Sequence, residues 1–383
     1  MARAAGFKAV ELSLLEKLRL LNWPFVCVVS LIALVGYGML YSAAGGSHAP
    51  WAWRHGARFC VALCVMLMIA LVDVRFWFRW SYAIYGLALL GLIAVELVGS
   101  INMGAQRWID FGLFQLQPSE VMKIALVLAL ARYFHGSFLD EVANPMHLVV
   151  PLLMAGTPAL LVLTQPDLGT AVMLLAGAGA LFFLAGVRWW KFAALIGATL
   201  VALPVLWQRL HDYQQQRVLT FLNPERDPLG AGYHIIQSKI ALGSGGVWGK
   251  GFLEGTQSQL SFLPEKQTDF VFTMLAEEAG LIGAYCLLFL FLFLIAYGFV
   301  FALRTRSQFS RLLVMGITVT LSLYVLINVA MVTGLIPVVG VPLPLISYGG
   351  TAMMTVMTGF GLMLGADIHR EVVIPRFPAD LDS

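Results

Sequence analysis

The chain has 383 residues, of which 60% are hydrophobic and only 12% are charged, and its formal net charge is +3. This composition excludes a water-soluble domain, because so much apolar sequence requires a lipid environment. The small positive charge does not indicate nucleic-acid binding, since the basic residues concentrate between apolar runs, as they do in membrane proteins. Composition therefore predicts an all-α polytopic membrane protein.

Apolar runs of about 20 residues, the length that spans a bilayer as a helix, recur along the chain. Ten runs are predicted to be spans: 23–43, 57–73, 81–99, 118–135, 148–165, 169–186, 190–207, 268–302, 312–334 and 345–367. No long polar linker divides them, so residues 1–383 are predicted to form a single membrane domain. A large loop, 208–267, separates the seventh and eighth spans.

The distribution of Lys and Arg predicts the orientation of the chain. Residues 1–22 place charged side chains among leucines and are predicted to form an amphipathic segment on the cytoplasmic membrane surface. Most other basic residues fall in connections on that same side, and few lie in the short loops opposite. Both termini, including the tail 368–383, are therefore predicted to be cytoplasmic, and the loop 208–267 extracytoplasmic.

The loop 208–267 contains candidate ligand-binding residues. Its glycine run, 243–251, either allows backbone amides to approach a phosphate closely or is a flexible turn at the membrane surface. The basic and polar side chains around it fit an anionic, hydroxyl-rich ligand at the bilayer surface: Arg217, Gln237, Ser238, Lys239, Lys250 and Lys266. Contact of the basic residues with anionic lipid head groups is the alternative.

Asp269 begins an apolar run that is too long for one span. From Phe270 to Ala302 it would form about 50 Å of helix, against a hydrocarbon core of about 30 Å. Its first turns are therefore predicted to project outward or to line a wet cavity, with Asp269 on a face of small residues that leaves room for a substrate. The alternative is that Asp269 caps the helix, where the helix dipole would lower the pKa of its carboxyl group.

Other polar residues lie at predicted span ends on the same side. Glu120 and Lys123 begin the fourth span and, being three residues apart, are predicted to form an ion pair inside the bundle. Arg107 precedes them, and Asp167 is predicted to cap the sixth span. The Pro- and Gly-rich segment that contains Ser347 is predicted to be a re-entrant or broken stretch, or else a stiff loop before the last span.

Six motifs together resemble those of the SEDS family of bacterial cell-wall proteins. They are Gly104-Ala-Gln-Arg-Trp108, Gln117-Pro-Ser-Glu-x-x-Lys123, Gln165-Pro-Asp-Leu-Gly-Thr170, Gly243-Ser-Gly-Gly246, Leu263-Pro-Glu-x-x-Thr-Asp-Phe270 and Pro344-Leu-Ile-Ser-Tyr-Gly-Gly350. The stretch 251–260 is more similar to the elongation member of the family than to the division member. The resemblance covers essentially the whole chain. It implies a peptidoglycan glycosyltransferase that polymerises lipid II at the outer face of the inner membrane during cell elongation.

The resemblance also implies residue roles and a partner. Asp269 stands where the family has its essential aspartate, and we interpret it as the general base that activates an acceptor sugar hydroxyl. The family often has His near Lys266, so that lysine receives no proton-transfer role. The diphosphate leaving group needs positive charge, for which the candidates are Arg217, Lys239, Lys250 or a divalent cation, Mg²⁺ or Mn²⁺. The remaining candidates to shape or contact the substrate cavity are Arg107, Glu120, Lys123 and Ser347. The implied partner is a class B penicillin-binding transpeptidase.

Two other functions stay open from the sequence. A cavity with ionisable groups and proline-broken backbone also fits a lipid II flippase, and a scaffold that only recruits the transpeptidase is a third interpretation. Flipping requires access from both faces of the membrane, whereas the charged motifs cluster on the outer face. This clustering favours chemistry over transport.

Overall fold

The computed structural model describes residues 13–375, except 103–104, 113–114, 210–214, 216–218, 222, 224–230, 261 and 264. The elements in chain order are α1 (Leu14–Leu20), α2 (Trp23–Ala43), α3 (Ala52–Leu71), α4 (Val74–Val98), β1 (Ser100–Asn102), β2 (Ala105–Asp110), β3 (Gln115–Leu116), α5 (Pro118–His135), α6 (Leu139–Ala143), a 3₁₀ turn (Met146–Leu148), α7 (Val149–Thr164), α8 (Leu168–Leu184), α9 (Trp189–Arg209), α10 (Ala231–Ser244), α11 (Thr256–Gln259), α12 (Val271–Arg304), α13 (Gln308–Val332) and α14 (Gly350–Ile368). The predicted all-α membrane fold is confirmed.

Every predicted span corresponds to a helix of the described chain. Seven helical segments are long and apolar enough to cross a membrane: Trp23–Ala43, Ala52–Leu71, Val74–Val98, Met146–Thr164, Val271–Arg304, Gln308–Val332 and Gly350–Ile368. The other three predicted spans fall on α5, α8 and α9, which are shorter or more polar. α3 and α4, the second and third spans, begin earlier than predicted, because their first turns stay helical through basic residues that the hydropathy pattern placed outside the spans.

A small antiparallel sheet of three strands, β1-β2-β3, was not predicted. It lies between α4 and α5, at the end of the bundle that also carries the segments 231–270 and 333–349. We call this end the loop end. β1 and β3 have only three and two residues, which is too short for an alternating pattern to indicate a strand in the sequence.

The core of the bundle is built around α5 and α14, whose side chains are buried on nearly every face. α5 packs against α4, α8 and α13, and α14 packs most closely against α3. The described side chains of α9, by contrast, are mostly exposed, as expected for a helix that faces lipid. Polar residues of α5 are therefore held inside protein rather than in contact with lipid.

The long helix α12 is broken at Gly280. This residue has φ 67° and ψ −166°, which is outside the helical region and available to glycine at little steric expense. The break leaves an upper piece, 271–279, at the loop end and a lower piece, 281–304, of about 36 Å, which is sufficient to span a bilayer. The excess length predicted for this run is thus confirmed, and it is accommodated by a change of direction.

Candidate active site

Asp269 lies in the turn Glu265–Phe270 that leads into α12. The residue at the N-cap position is Phe270, which makes no side-chain cap hydrogen bond. Thr268 turns its hydroxyl back onto Glu265, donating to the backbone oxygen at 3.2 Å and to Oε2 at 2.9 Å. The capping interpretation of Asp269 is therefore wrong, because neither it nor Thr268 closes the helix end.

Three hydrogen bonds fix the backbone of this turn. Asn328 in α13 donates from Nδ2 to the Asp269 oxygen at 3.0 Å, and Ser347 donates from Oγ to the Thr268 oxygen at 2.6 Å. The amide of Tyr348 donates to the Gln267 oxygen at 2.8 Å. All three donors bind the backbone, so the turn is held in place without using the carboxylate of Asp269. Ser347, a predicted site residue, thus supports the turn from below.

The carboxylate of Asp269 accepts no hydrogen bond within the described part of the chain. Burial, and after it the negative charges of Glu265 and Asp167, together raise the pKa of this carboxyl to about 6. The helix dipole was expected to lower this pKa, and that expectation is wrong because burial and two acidic neighbours outweigh it. A carboxylate with a pKa near neutrality and no donor is well suited to accept a proton.

The face of small residues beside Asp269 does not provide substrate space, contrary to the prediction. Thr273 is fully buried and its hydroxyl lies 2.9 Å from that of Ser238, which itself donates to the Val332 oxygen at 2.7 Å. Further along, a Cβ on Gly245 would stand 2.1 Å from the Ala276 oxygen. The small residues exist because α10 and the glycine run pack directly against this face of α12.

The glycine run clamps the break in α12. The amides of Lys250 and Gly251 donate to the oxygens of Glu277 and Glu278 at 3.1 and 3.0 Å. On the other side of the break, the amides 281 and 282 donate to the oxygens 246 and 247 at 3.0 and 3.3 Å. The run therefore satisfies the backbone groups that the break releases, which membrane-embedded backbone requires. The amides of Lys250 and Gly251 are used in this clamp, and that of Gly249 donates to the Gly245 oxygen, so these three are not free to bind a phosphate.

The clamp leaves no room for side chains where the two backbones cross. A Cβ on Gly249, whose φ is +82°, would stand 2.1 Å from the Glu278 oxygen, and a Cβ on Gly280 would stand 2.3 Å from the Gly249 nitrogen. Glycine is thus required at both positions for space as well as for backbone conformation.

Two of the predicted basic site residues are held within the loop. Lys250 pairs with the buried Glu277 at 2.8 Å, and Glu277 also accepts hydrogen bonds from the amides of Gln257 and Ser258 at 2.8 and 3.2 Å. Lys266 donates to the Ser258 oxygen at 2.7 Å, and partial burial lowers the pKa of its ammonium group. Both lysines organise the short helix α11, and neither contacts Asp269 through a hydrogen bond.

The other predicted residues of this loop are not brought together around Asp269. Lys239 is exposed and lies over Gly334, where an added Cβ would stand 2.3 Å from Lys239 Cε. Gln237 is partly buried on α10, and Ser238 is a buried packing contact. Arg217 lies outside the described residues.

Glu120 and Lys123 form the predicted ion pair, at 2.7 Å, and both are buried. Sequence reasoning missed the third member, Tyr324 of α13, which accepts a hydrogen bond from Lys123 Nζ at 2.6 Å and donates to Glu120. Arg107 donates to the backbone oxygens of residues 165 and 166 and lies 3.9 Å from the Asp167 carboxylate. Glu120, Lys123 and Tyr324 thus form one buried network, and Arg107 is bound to the separate turn 165–167.

Asp167 caps α8 as predicted. Its two carboxylate oxygens accept from the amide and the hydroxyl of Thr170 at 3.1 and 3.0 Å. Its charge is one of the two that raise the pKa of Asp269. Arg107 therefore balances the negative charge of Asp167, a carboxylate with a structural role at the edge of the site.

A cavity of about 950 Å³ lies beside this site, between α3, α4, α5 and α14. It runs about 18 Å along α14, from Gly350 at the loop end to Leu362, and most of its lining is apolar. At its loop end the guanidinium of Arg58 lies 4.7 Å from the ring centroid of Tyr348. Tyr348 separates the cavity from the Asp269 turn, because its ring lines the cavity while its amide binds Gln267. Arg58 was not among the predicted site residues, since nothing in the local pattern indicates a cavity between distant helices.

No group of three or more His, Cys, Asp or Glu side chains within the described residues is placed to hold a metal ion. A protein-built metal centre therefore does not fit the described part of this site. The divalent cation that the sequence suggested for the diphosphate stays a prediction.

Comparison with known proteins gives a consistent result over nearly the whole chain. A family model for cell cycle proteins of the FtsW, RodA and SpoVE type matches residues 18–372. The peptidoglycan glycosyltransferase MrdB of Escherichia coli K12 is 42% identical over 353 residues, covering 91% of this chain and 94% of that protein. A chain from a peptidoglycan synthase complex that coordinates polymerization and crosslinking has a TM-score of 0.80 at 32% identity, covering 91% of this chain and 98% of that chain. The rod shape determining protein RodA of Thermus thermophilus has a TM-score of 0.70 at 29% identity, covering 92% and 98%.

Proposed function

The chain belongs to the FtsW/RodA/SpoVE family and is a peptidoglycan glycosyltransferase of the inner membrane, and from this premise we propose that Asp269 is its general base. In this proposal the substrate is lipid II, and the product is a β-1,4-linked glycan strand made during cell elongation. The observation that carries the proposal is the Asp269 turn: its backbone is fixed by three donors, while its carboxylate is unpaired and has a pKa of about 6.

The chemistry follows from the substrate. Lipid II carries its sugar α-linked to a diphosphate, so a β-linked product requires inversion by one direct displacement. The acceptor 4-hydroxyl oxygen forms a bond to the donor anomeric carbon, and the bond from that carbon to the diphosphate oxygen breaks. The leaving diphosphate takes the electron pair, and the Asp269 carboxylate takes the hydroxyl proton. A base with a pKa near 6 is ionised at neutral pH and still basic enough to assist this transfer.

The cavity beside the turn supports a lipid-linked substrate. Its apolar walls fit a polyprenyl chain, and Arg58 at its loop end is placed to neutralise a diphosphate at the membrane surface. Arg58 joins the candidates that the sequence gave for this charge, which were Arg217, Lys239, Lys250 or a divalent cation; of these, Lys250 is paired with Glu277. With the lipid in this cavity, its sugar would reach Asp269 across Tyr348.

The loop end is periplasmic in this proposal, and both termini are cytoplasmic. The bias of basic residues toward the opposite side supports this orientation. The similarity to a chain of a synthase complex that joins polymerization to crosslinking supports a class B penicillin-binding transpeptidase as the partner.

Polymerisation by the purified protein with its transpeptidase partner, given lipid II in detergent and no other polymerase, tests the proposal. Wild type is expected to make glycan, and Asp269→Asn is expected to make none. Asp140→Asn is the matched control, because Asp140 is an exposed carboxylate far along the chain from the site. Normal polymerisation by Asp269→Asn would exclude Asp269 as the base, and absence of glycan from wild type would favour the flippase or scaffold function.

A further inference from the structure

The clamp segment 246–253 presents large apolar side chains on the outside of the protein. Trp248 is 82% exposed, and Val247 and Phe252 are 53% and 55% exposed. Exposed apolar residues in a cluster mark a surface that contacts something other than water. None of these three side chains takes part in the proposed chemistry.

The first constraint on the depth of this segment comes from the break in α12. The oxygens of Gly246 and Val247 accept from the first amides of the lower piece, 281–304. That piece is about 36 Å long and ends at Arg304, so its first residues lie at the loop-end boundary of a hydrocarbon core of about 30 Å. Trp248 follows Val247 directly in the chain, so its backbone lies at about the same depth.

The second constraint comes from α2 and does not depend on the first. The ring of Phe252 stacks on that of Tyr41, with centroids 6.4 Å apart and an interplanar angle of 7°. Tyr41 lies two residues before the loop end of α2, a helix of 21 residues and about 32 Å. Phe252 is therefore also at the boundary between hydrocarbon and head groups.

We propose that Val247, Trp248 and Phe252 are inserted into the head-group layer of the leaflet at the loop end, so that the occupant of this surface is lipid. Leu281, whose amide donates to the Gly246 oxygen, and Tyr285 one turn further along the span are also exposed, at 49% and 53%. Trp and Tyr concentrate at this level of membrane proteins because their rings are amphipathic. The proposal requires only that the chain spans the membrane, so it is independent of the role of Asp269.

Site-directed spin labelling in proteoliposomes tests the depth of Trp248. The four native cysteines, Cys27, Cys60, Cys64 and Cys286, are replaced by alanine, and the background must retain wild-type polymerisation. Single cysteines are then introduced as Trp248→Cys, as Glu254→Cys on an exposed polar position of the same loop, and as Phe289→Cys on the lipid-facing side of the span. The measurement is the ratio of collisions with oxygen to collisions with a water-soluble nickel chelate.

The label at 248 is expected to give a ratio several-fold higher than the label at 254 and lower than the label at 289. Equal ratios at 248 and 254 would overturn the proposal. So would a label at 248 that is open to the nickel chelate in the protein alone and becomes protected only when the transpeptidase is added, since the surface would then bind protein.

A second measurement keeps the native side chain in place. Trp248→Phe is reconstituted with lipids brominated near the head group, which quench tryptophan at that depth. The chain has ten tryptophans. The fraction of the fluorescence that the brominated lipids quench is expected to fall relative to wild type, because the substitution removes a tryptophan at the depth of the bromine atoms. An unchanged quenchable part would overturn the proposal, whatever the spin labels report.

Discussion

Asp269 and Glu277 lie about two helical turns apart, yet their carboxylates have opposite surroundings. Glu277 accepts from Lys250, from Thr256 and from the amides of Gln257 and Ser258. The Asp269 carboxylate accepts no hydrogen bond from the described groups. Only the backbone oxygen of Asp269 accepts one, from Asn328. A buried carboxylate with four donors stabilises structure, whereas one that is held by its backbone alone is available for a reaction. Glu120, bound by Lys123 and Tyr324, belongs with Glu277.

The largest effect is expected from Asp269→Asn. The rate of polymerisation should fall by about 10²- to 10⁴-fold, the usual contribution of a general base. The temperature of unfolding should not fall, because no donor loses a partner. A matching loss of thermal stability would place Asp269 with the structural carboxylates and would remove the contrast with Glu277.

Lys123→Met tests the paired carboxylate inside the bundle, that of Glu120. It leaves the Glu120 carboxylate buried with only Tyr324 as a donor, and removal of one partner from a buried pair lowers the free energy of unfolding by about 3–5 kcal/mol. The double variant Glu120→Gln with Lys123→Met should recover much of this loss, since it leaves no buried charge. Thermal unfolding of the single and double variants in one detergent is the measurement, and additive losses would contradict the pairing.

Glu277→Ala tests the paired carboxylate at the loop end. Two backbone amides and Lys250 lose their acceptor, so the free energy of unfolding should fall by about 1–3 kcal/mol. Lys250→Met should have a smaller effect, because the ammonium is partly exposed and the two amides keep their acceptor. If Lys250→Met proves the more damaging change, the ion pair and not the backbone amides organises α11.

The smallest effect is a pH dependence. Because the pKa of Asp269 is raised to about 6, the base is half protonated there, and activity should fall about twofold at pH 6 and further below it. The free energy of unfolding depends on pH in the opposite direction to activity. Protonation of Asp269 favours the folded protein, a contribution that is complete below about pH 3.8 and is lost as the pH rises through about 6.

The acid limb is checked by kcat/KM measured from pH 5 to 8, because kcat/KM reports the pKa of the base in the free enzyme. Retention of full activity at pH 5 would contradict a base with this pKa. Lys250→Met is the control. It leaves the Asp269 turn intact, so its activity should decrease at acid pH as that of wild type does.

Local patterns predicted much of this arrangement. Apolar run length placed the helices, the excess length of 268–302 was accommodated at Gly280, and residue spacing gave the Glu120–Lys123 pair and the Asp167 cap. Each of these depends on residues within a few turns of one another. Such short-range relations are what a single sequence expresses most directly.

The residues that were placed wrongly around the site mostly concern contacts between distant segments. The amides of the glycine run were candidate ligand donors because the acceptors of two of them, at 277 and 278, belong to another element. The small-residue face of α12 was taken for substrate space because the packing of α10 and the loop on it has no local signature. Arg58 and Tyr348 were not paired for the same reason, since they are brought together only by the packing of α3 against α14.

The polar interior of α5 also constrains how the chain is made. α5 carries the buried charges of Glu120 and Lys123, and a charge is costly to insert alone, at up to about 2.5–3.5 kcal/mol when it lies at the bilayer centre. Tyr324, which completes the network, is synthesised 201 residues after Lys123. During that interval only the Glu120–Lys123 pair and neighbouring helices shield the charges. Integration of α5 is therefore expected to be completed late in biogenesis, when α13 arrives, and truncated chains that end before α13 should expose α5 to membrane quality control.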